Sequence, residues 1–205
     1  MKCCEKCRPL NSARMFKNPA PLLQTHAVRA LLKQKQGSRL IEIGAGCLRN
    51  SFFFLKLGFK VTVLEVPNMD IRFPENFARF RNLGGTTTTR LPKKRQFELA
   101  VATFVIETIC DKKERAQIVR GLCECLHFSG CLLISVRGPS DLVTAHHSGM
   151  RCSDGYLTPG YTFARSYTRI QLRRLLTYNG FRTIEFLHRD ATESPELLHA
   201  IARRR

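Results

Sequence analysis

The sequence predicts a doubly wound α/β fold with a mostly parallel sheet and an antiparallel hairpin at the end of the chain. Three observations predict it. Residues 40–43, 49–57 and 60–64 follow one another as an apolar run, a segment with helical spacing and a second apolar run, the pattern of a βαβ unit. Residues 97–105 are almost continuously apolar, as expected for a central parallel strand. Residues 181–188 and 197–202 are joined by a short connection, which implies antiparallel pairing.

The remaining elements follow from spacing and end signals. Residues 19–36 predict a first helix, because Leu23, Ala27 and Leu31 share one face and Gly37 is suited to ending it. Asp111 and Thr168 have the character of residues that cap helix N-termini. The other predicted elements are a helix over 74–81, strands over 86–91 and 130–136, a long loop over 137–166, and a helix from Thr168 that ends at Gly180.

The charge of the chain is strongly positive. With 34 Lys and Arg against 16 Asp and Glu, the net charge is +18 over 205 residues. Such an excess favours polyanions such as nucleic acid, an acidic partner or an anionic surface, although a solvated basic surface would also explain it. Residues 1–18 are predicted to form a flexible basic arm and residues 19–205 a single domain. Further basic clusters lie at 90–95, at 169–174 and at 203–205.

Cysteine usage and hydropathy indicate an intracellular, cytoplasmic protein. No apolar run approaches 18 residues, and the N-terminal residues are too polar for a signal peptide. Nine cysteines form an odd number, and several lie in predicted core elements. We expect buried free thiols at Cys47, Cys110, Cys123, Cys125 and Cys131. Cys3, Cys4 and Cys7 lack a second ligand pair, so a frayed tail is favoured there over a metal centre and no metal site is expected.

The most informative segment is Arg39-Leu-Ile-Glu-Ile-Gly-Ala-Gly-Cys-Leu-Arg-Asn50. An apolar run ends in an acid, a Gly-x-Gly turn follows, and the next apolar run ends at Glu65, 21 residues after Gly44. This is the layout of a nucleotide pocket at the carboxyl edge of a parallel sheet. The dinucleotide fingerprint fails, because Arg49 occupies its third glycine position. Glu42 would oppose a pyrophosphate but suits a cationic ligand that carries an ammonium group, such as S-adenosylmethionine.

These residues resemble class I S-adenosylmethionine-dependent methyltransferases. Residues 41–50 are similar to the first motif of that family, Leu64-Glu65 to its second, and residues 97–109 to its fourth strand and the mouth of that strand. The resemblance covers roughly residues 20–205. It implies a Rossmann-like, mostly parallel seven-stranded sheet with an antiparallel terminal hairpin, and S-adenosylmethionine as the cofactor.

The resemblance also implies individual roles. The cofactor-binding residues it implies are Glu42, Gly44 and Gly46 near the methionine part, Glu65 on the ribose, Val66 beside adenine, Thr103 and Phe104 facing cofactor and acceptor, and also Ala45 and Asn50. One departure is Leu48, which replaces the last glycine of the first motif and whose bulk could crowd the methionine end.

The acceptor is not indicated by any motif. His146 or His147 is a candidate general base, against the interpretation of two exposed loop histidines. Tyr161 is a candidate for stacking on a base, against packing of its loop on the core. Lys93, Lys94 and Arg95 are candidate nucleic-acid contacts. Together with the N-terminal arm and the clusters at 169–174 and 203–205, they are expected to form a polyanion track beside the cofactor mouth. Three classes stay open: a methyltransferase acting on nucleic acid or another anion, a small-molecule methyltransferase, and a non-catalytic nucleic-acid- or partner-binding protein on the same fold.

Overall fold

The computed structural model of the protein describes residues 18–66, 69–92, 95–142, 150–158, 162–187 and 197–204. The strands are β1 (Arg39–Ile43), β2 (Lys60–Leu64), β3 (Thr86–Thr88), β4 (Phe97–Thr103), β5 (Leu126–Arg137), β6 (Met150–Cys152), β7 (Gly155–Leu157), β8 (Phe163–Ala164), β9 (Phe181–Phe186) and β10 (Leu197–Arg204). The helices are α1 (His26–Gln34), α2 (Arg49–Lys56), α3 (Met69–Arg72), α4 (Pro74–Asn82), α5 (Lys112–Cys125) and α6 (Arg169–Tyr178). Short 3-10 turns lie at Pro21–Gln24, Ile106–Thr108 and Pro139–Leu142.

The central sheet has seven strands in the order β3-β2-β1-β4-β5-β10-β9. Strands β1 to β5 are parallel to one another, and β10 is antiparallel to both of its neighbours. This confirms the predicted fold class, including the terminal hairpin. Strands β2 and β3 lie on one side of β1, whereas β4, the next strand along the chain, lies on its other side. The carboxyl ends of β1 and β4 therefore form the topological switch point, where ligands of such sheets bind.

Both faces of the sheet are buried, which explains the apolar run of β4. Leu99 and Val101 pack on the side that carries α1, α2 and α4. Ala100 and Ala102 pack on the opposite side, beneath α5 and α6. Because successive side chains of a strand point to opposite faces, a strand covered on both faces must be apolar at every position.

Helix ends follow the predicted signals. Thr168 accepts a hydrogen bond from the backbone N–H of Gln171, while the Gln171 side chain accepts from the backbone N–H of Thr168, a complete capping box. Asp111 accepts from the N–H of Lys113. The predicted first helix is shorter than expected, because the 3-10 turn over Pro21–Gln24 ends at extended Thr25 before α1 begins.

One prediction for this part of the chain is wrong. Residues 137–166 are not a structureless loop, since β6, β7 and β8 form a small antiparallel sheet. Arg115 of α5 holds this sheet by donating to both carboxylate oxygens of Asp154 at 2.8 and 2.6 Å, and Arg165 also pairs with Asp154. The short strands were missed because each has only two or three residues, too few for a period-two pattern.

Three of the five core cysteines named from the sequence have the expected state. Cys123, Cys125 and Cys131 are buried free thiols, and burial raises the pKa of Cys125 to about 12. Cys47 and Cys110 are also buried. Cys152 is disulfide-bonded. Cys3, Cys4 and Cys7 lie outside the described residues, as does the predicted arm except for Asn18. No helix within the described ranges is long and apolar enough to cross a membrane.

Candidate cofactor site

The Gly-x-Gly turn follows β1 directly at the switch point. Gly44 and Gly46 both have left-handed backbone, with φ of 61° and 55°, a conformation that glycine adopts at little cost. The N–H of Gly44 donates to the carbonyl of Leu64 at 2.9 Å, which holds the start of the turn against the end of β2. A Cβ on Gly44 would lie 2.4 Å from Cγ2 of Val105. The turn is therefore packed against the mouth of β4 with no room for a side chain at Gly44.

Glu65 joins the second strand to the same turn. Its Oε2 accepts the N–H of Gly46 at 2.8 Å, and its Oε1 accepts the N–H of Val66 at 3.0 Å. Partial burial raises the pKa of the Glu65 carboxyl above its usual value, and these two hydrogen bonds oppose the rise. The structure thus brings Gly46 and Glu65, which are 19 residues apart, into direct contact.

Glu42 lies beneath the turn and is almost completely buried. Its Oε1 accepts from Nδ2 of Asn50 at 2.9 Å and its Oε2 from Oγ of Ser51 at 2.6 Å. Burial raises the pKa of Glu42 to about 7, against the lowering effect of these two hydrogen bonds. The described contacts of this carboxylate therefore hold the start of α2 against β1.

Asn50 connects four segments. Besides Glu42, its Nδ2 donates to Oγ1 of Thr103 at 3.1 Å, and its Oδ1 accepts the N–H of Ala20 at 2.8 Å. Thr103 is buried and supports this network, whereas Phe104, the next residue, is half-buried with a φ of 60°. An aromatic residue in the left-handed region is a strained arrangement that clusters at functional sites. Here the strained residue follows directly on β4, at its mouth.

Leu48 does not have the position that its bulk suggested. Its side chain is fully buried in the core cluster on the α1, α2 and α4 side of the sheet. Its backbone has a φ of 68°, in the left-handed region that favours glycine. The expectation that Leu48 crowds the methionine end is wrong, because the side chain packs inward.

Other predicted site residues are dispersed. Val66 is 56% exposed beside the turn, and Ala45 is buried within it. Arg95 lies two residues before β4, at the edge of the sheet opposite the turn, and its guanidinium lies 3.9 Å from the centroid of Phe128. His146, His147, Tyr161, Lys93 and Lys94 lie outside the described residues.

The basic groups that the structure describes consequently do not all lie on one track beside the turn. Arg203 and Arg204 end β10, which is antiparallel to β5, so they lie with Arg95 at the amino edge of the parallel strands. For these three residues the expected position beside the cofactor mouth is wrong.

Two residues that contribute to the site were not predicted from the sequence. Ser51 follows the motif directly and binds Glu42; its place in the first turn of α2, one residue after Asn50, was an available signal. Val105 abuts Gly44, and no local pattern indicates that contact, because it depends on the pairing of β1 with β4.

Comparisons with known proteins identify the fold. No protein-family model matches the chain, and no curated protein matches it in sequence. Among solved structures, a SAM-dependent methyltransferase from Methanosarcina mazei is similar with a TM-score of 0.68 at 17% identity, covering 91% of this chain and 98% of the other. A methyltransferase from Mesorhizobium loti gives 0.63 at 18% identity, covering 87% and 96%.

A third similar structure carries ligands. The 1,6-didemethyltoxoflavin-N1-methyltransferase of Burkholderia thailandensis, solved with 1,6-didemethyltoxoflavin and S-adenosylhomocysteine bound, gives a TM-score of 0.64 at 18% identity, covering 87% of this chain and 77% of the other. At these identities the likeness concerns the fold alone. The chain has the fold of the S-adenosylmethionine-dependent methyltransferases.

Proposed function

We propose that this protein is an S-adenosylmethionine-dependent methyltransferase whose cofactor binds at the glycine turn. The observation that carries the proposal is the carboxylate of Glu65, held beside Gly46 at the switch point of the sheet. Each of its oxygens accepts one backbone N–H and therefore keeps a lone pair for a further donor. The two adjacent hydroxyls of a ribose match such a pair of acceptors.

Glu42 supports a cationic ligand rather than a pyrophosphate. Its buried carboxyl, with a pKa of about 7, lies under the turn and is shielded from water. A positive charge bound at the turn would stabilise the ionised form of Glu42, since opposite charges attract more strongly where water is excluded. A pyrophosphate at the same position would be repelled.

The exposed positions around the turn fit the remaining parts of the cofactor. Val66 offers an exposed apolar side chain next to Glu65, where an adenine ring would pack. Phe104 at the mouth of β4 is proposed to contact the acceptor, while Thr103 and Asn50 act as positioning residues through their mutual hydrogen bond. S-adenosylmethionine supplies an electrophilic methyl group, so the protein needs mainly to align donor and acceptor. His146 and His147 stay candidate bases.

The small sheet favours an acceptor of limited size. The N–H of Arg165, directly after β8, donates to the carbonyl of Glu107 at 3.0 Å, and the N–H of Tyr167 donates to the carbonyl of Arg137 at 2.9 Å. These bonds dock the segment following β8 close to the ends of β4 and β5. Because a cover at this edge narrows the approach to the turn, we favour a small-molecule acceptor over a polynucleotide threaded through the mouth.

Isothermal titration calorimetry tests cofactor binding. S-adenosylmethionine should bind the full chain, and Glu65→Ala should lose about 1–3 kcal/mol of binding free energy through the missing ribose hydrogen bonds. Glu185→Ala is the matched control, because Glu185 is an exposed carboxylate on the edge strand β9. Equal affinity in the wild type and Glu65→Ala would exclude the proposed ribose site. Transfer of tritium from labelled cofactor to pools of small molecules, RNA and DNA would then identify the acceptor class.

A further inference from the structure

A bulge at the amino edge of the sheet presents an exposed aromatic ring. Leu126 pairs with Phe97, but the next paired residues are Cys131 and Leu99, so four residues of β5 lie opposite the single residue Glu98. Within this bulge Ser129 has a φ of 61°, and Phe128 is 62% exposed. Bulges of this kind redirect side chains out of a sheet.

Arginine side chains accompany this ring. The guanidinium of Arg95 lies 3.9 Å from the centroid of Phe128, and that of Arg204 lies 5.6 Å from it, both within the range of cation–π attraction. Arg204 is held in place because its Nη1 also donates to the carbonyls of Cys123, Glu124 and Leu126. The ring and its cations are therefore organised by the fold.

Further cations extend this surface along the same edge. Arg39 and Lys60 are direct partners at the starts of β1 and β2, and both are exposed. Nη2 of Arg39 lies 3.5 Å from Nε2 of His127 in the bulge. An open depression of about 540 Å³ lies here, lined in part by Arg39, Lys60 and Glu98.

Two carboxylates lie among these cations. Oε2 of Glu98 accepts the N–H of Arg39 at 2.8 Å, and its Oε1 lies 3.4 Å from Nε2 of His127. Glu124, at the end of α5, is exposed. Among the residues that the structure describes here, the four cationic side chains of Arg39, Lys60, Arg95 and Arg204 thus outnumber these two carboxylates, one of which is already engaged.

We propose that this basic edge surface, formed by Arg39, Lys60, Arg95, Phe128 and Arg204, binds single-stranded nucleic acid. Phosphates would contact the cations, and a base would stack on the exposed ring of Phe128. An acidic protein would use only the charges and would leave the ring in water, so the exposed aromatic favours a nucleobase ligand.

This surface is separate from the proposed cofactor site. The seven residues of β4 lie between the two edges, a distance of about 20 Å at the usual rise of a strand. Binding at the basic edge surface therefore does not require methyl transfer, and the proposal holds whether or not the turn binds S-adenosylmethionine.

The chain contains no tryptophan, which permits a direct test. Phe128→Trp in the full chain introduces a single tryptophan at the proposed stacking position, which can be excited selectively over the four tyrosines. A 12-nucleotide oligouridylate should quench its emission, and the affinity should fall steeply between about 50 and 200 mM salt. Poly-glutamate of the same charge should produce no comparable quenching.

Variants separate stacking from general attraction. Phe128→Ala should weaken binding about tenfold or more, measured by anisotropy of labelled oligouridylate, while Phe128→Trp should retain it. Arg39→Glu with Lys60→Glu should weaken binding by at least about tenfold. The charge-matched control is Arg29→Glu with Arg120→Glu, two exposed positions on α1 and α5.

Three results would overturn the proposal: no salt-sensitive binding by the wild type, an equal loss in the Arg29 and Arg120 control, or undiminished binding by Phe128→Ala. Binding of poly-glutamate as tightly as the oligonucleotide, with no quenching by the latter, would instead assign the surface to an acidic protein partner and also overturn it.

Discussion

The α-carbon of Gly44 faces the side chain of Val105 so closely that a Cβ there would lie 2.4 Å from Cγ2. This contact joins the end of β1 to the mouth of β4 at the point where the proposed cofactor site lies. The first prediction is that Gly44→Ala lowers the affinity for S-adenosylmethionine at least about tenfold, because either the turn or the side chain of Val105 must move to make room for the new methyl group. Gly37→Ala is the control, since Gly37 also has positive φ but a Cβ there meets nothing within 4 Å.

A second variant makes this prediction specific. Val105→Ala removes the clashing methyl groups, so Gly44→Ala combined with Val105→Ala should recover part of the affinity lost by Gly44→Ala alone. Calorimetric titration of the four proteins gives the coupling between the two sites. Additive losses would show that the packing of Val105 on the turn is irrelevant to binding.

The pKa of Glu42 predicts how stability depends on pH. Its value of about 7 exceeds the ordinary value of 4.5, so between these two pH values the folded protein holds a proton that the unfolded chain has released. Stability contributed by this group is therefore largest at low pH and falls as the pH rises through that window, by roughly 3 kcal/mol in total.

Glu42→Gln should remove this dependence. A glutamine imitates the protonated carboxyl and can still pair with Asn50 and Ser51, so its urea unfolding free energy should be flatter than that of the wild type from pH 5 to pH 7.5. Identical slopes for the two proteins would show that Glu42 ionises as it does in the unfolded chain. The comparison cancels contributions of all other groups.

Arg204 predicts a stability effect at the end of α5. Its Nη1 donates to the carbonyls of Cys123, Glu124 and Leu126 at 2.5, 2.9 and 2.7 Å, and a cation at a helix C-terminus also favours the helix dipole. Arg204→Ala should cost about 1–2 kcal/mol, because water can replace part of these bonds. Arg203→Ala, the preceding arginine, should cost less. Urea midpoints with an unchanged m-value measure the difference, and equal losses would contradict it.

The left-handed backbone of Leu48 predicts that its glycine and alanine variants have the reverse of their usual order of stability. Leu48→Ala loses a buried side chain, at about 2–5 kcal/mol, and keeps the left-handed backbone. Leu48→Gly suffers a similar loss but relieves the left-handed strain, about 1–2 kcal/mol. The glycine variant should therefore be at least as stable as the alanine variant, the reverse of the usual order. Thermal unfolding of both proteins decides it.

The fold was predictable where burial imposes a pattern. Continuous apolar runs identified β1 and β4, and capping residues such as Thr168 placed helix starts to the residue. The small sheet was not predictable, because its strands are too short for a period. The bulge that exposes Phe128 was not predictable either, since its residues 127–130 precede the apolar run of β5 and carry no pattern that specifies their pairing.

The candidate site was likewise predictable from the sequence only in part. The glycines and Glu65 stood out because the end of a strand determines their position. The inward packing of Leu48 could not be derived, since leucine has no preference for positive φ and only the surrounding core holds it there. The position of Arg95 was likewise misjudged, because charge clusters in a sequence do not reveal which edge of a sheet they reach.

The hydrogen bond from the N–H of Gly46 to Glu65 involves a main-chain donor, which every residue except proline possesses. Much of this site therefore depends on backbone geometry, and only a few of its side chains must be of a particular type. A chain built this way can replace most of its residues and still hold the same shape. Similarities of 17–18% identity at TM-scores of 0.63–0.68 are what such freedom would produce, so the same fold is recognised in three dimensions where the sequences share few residues.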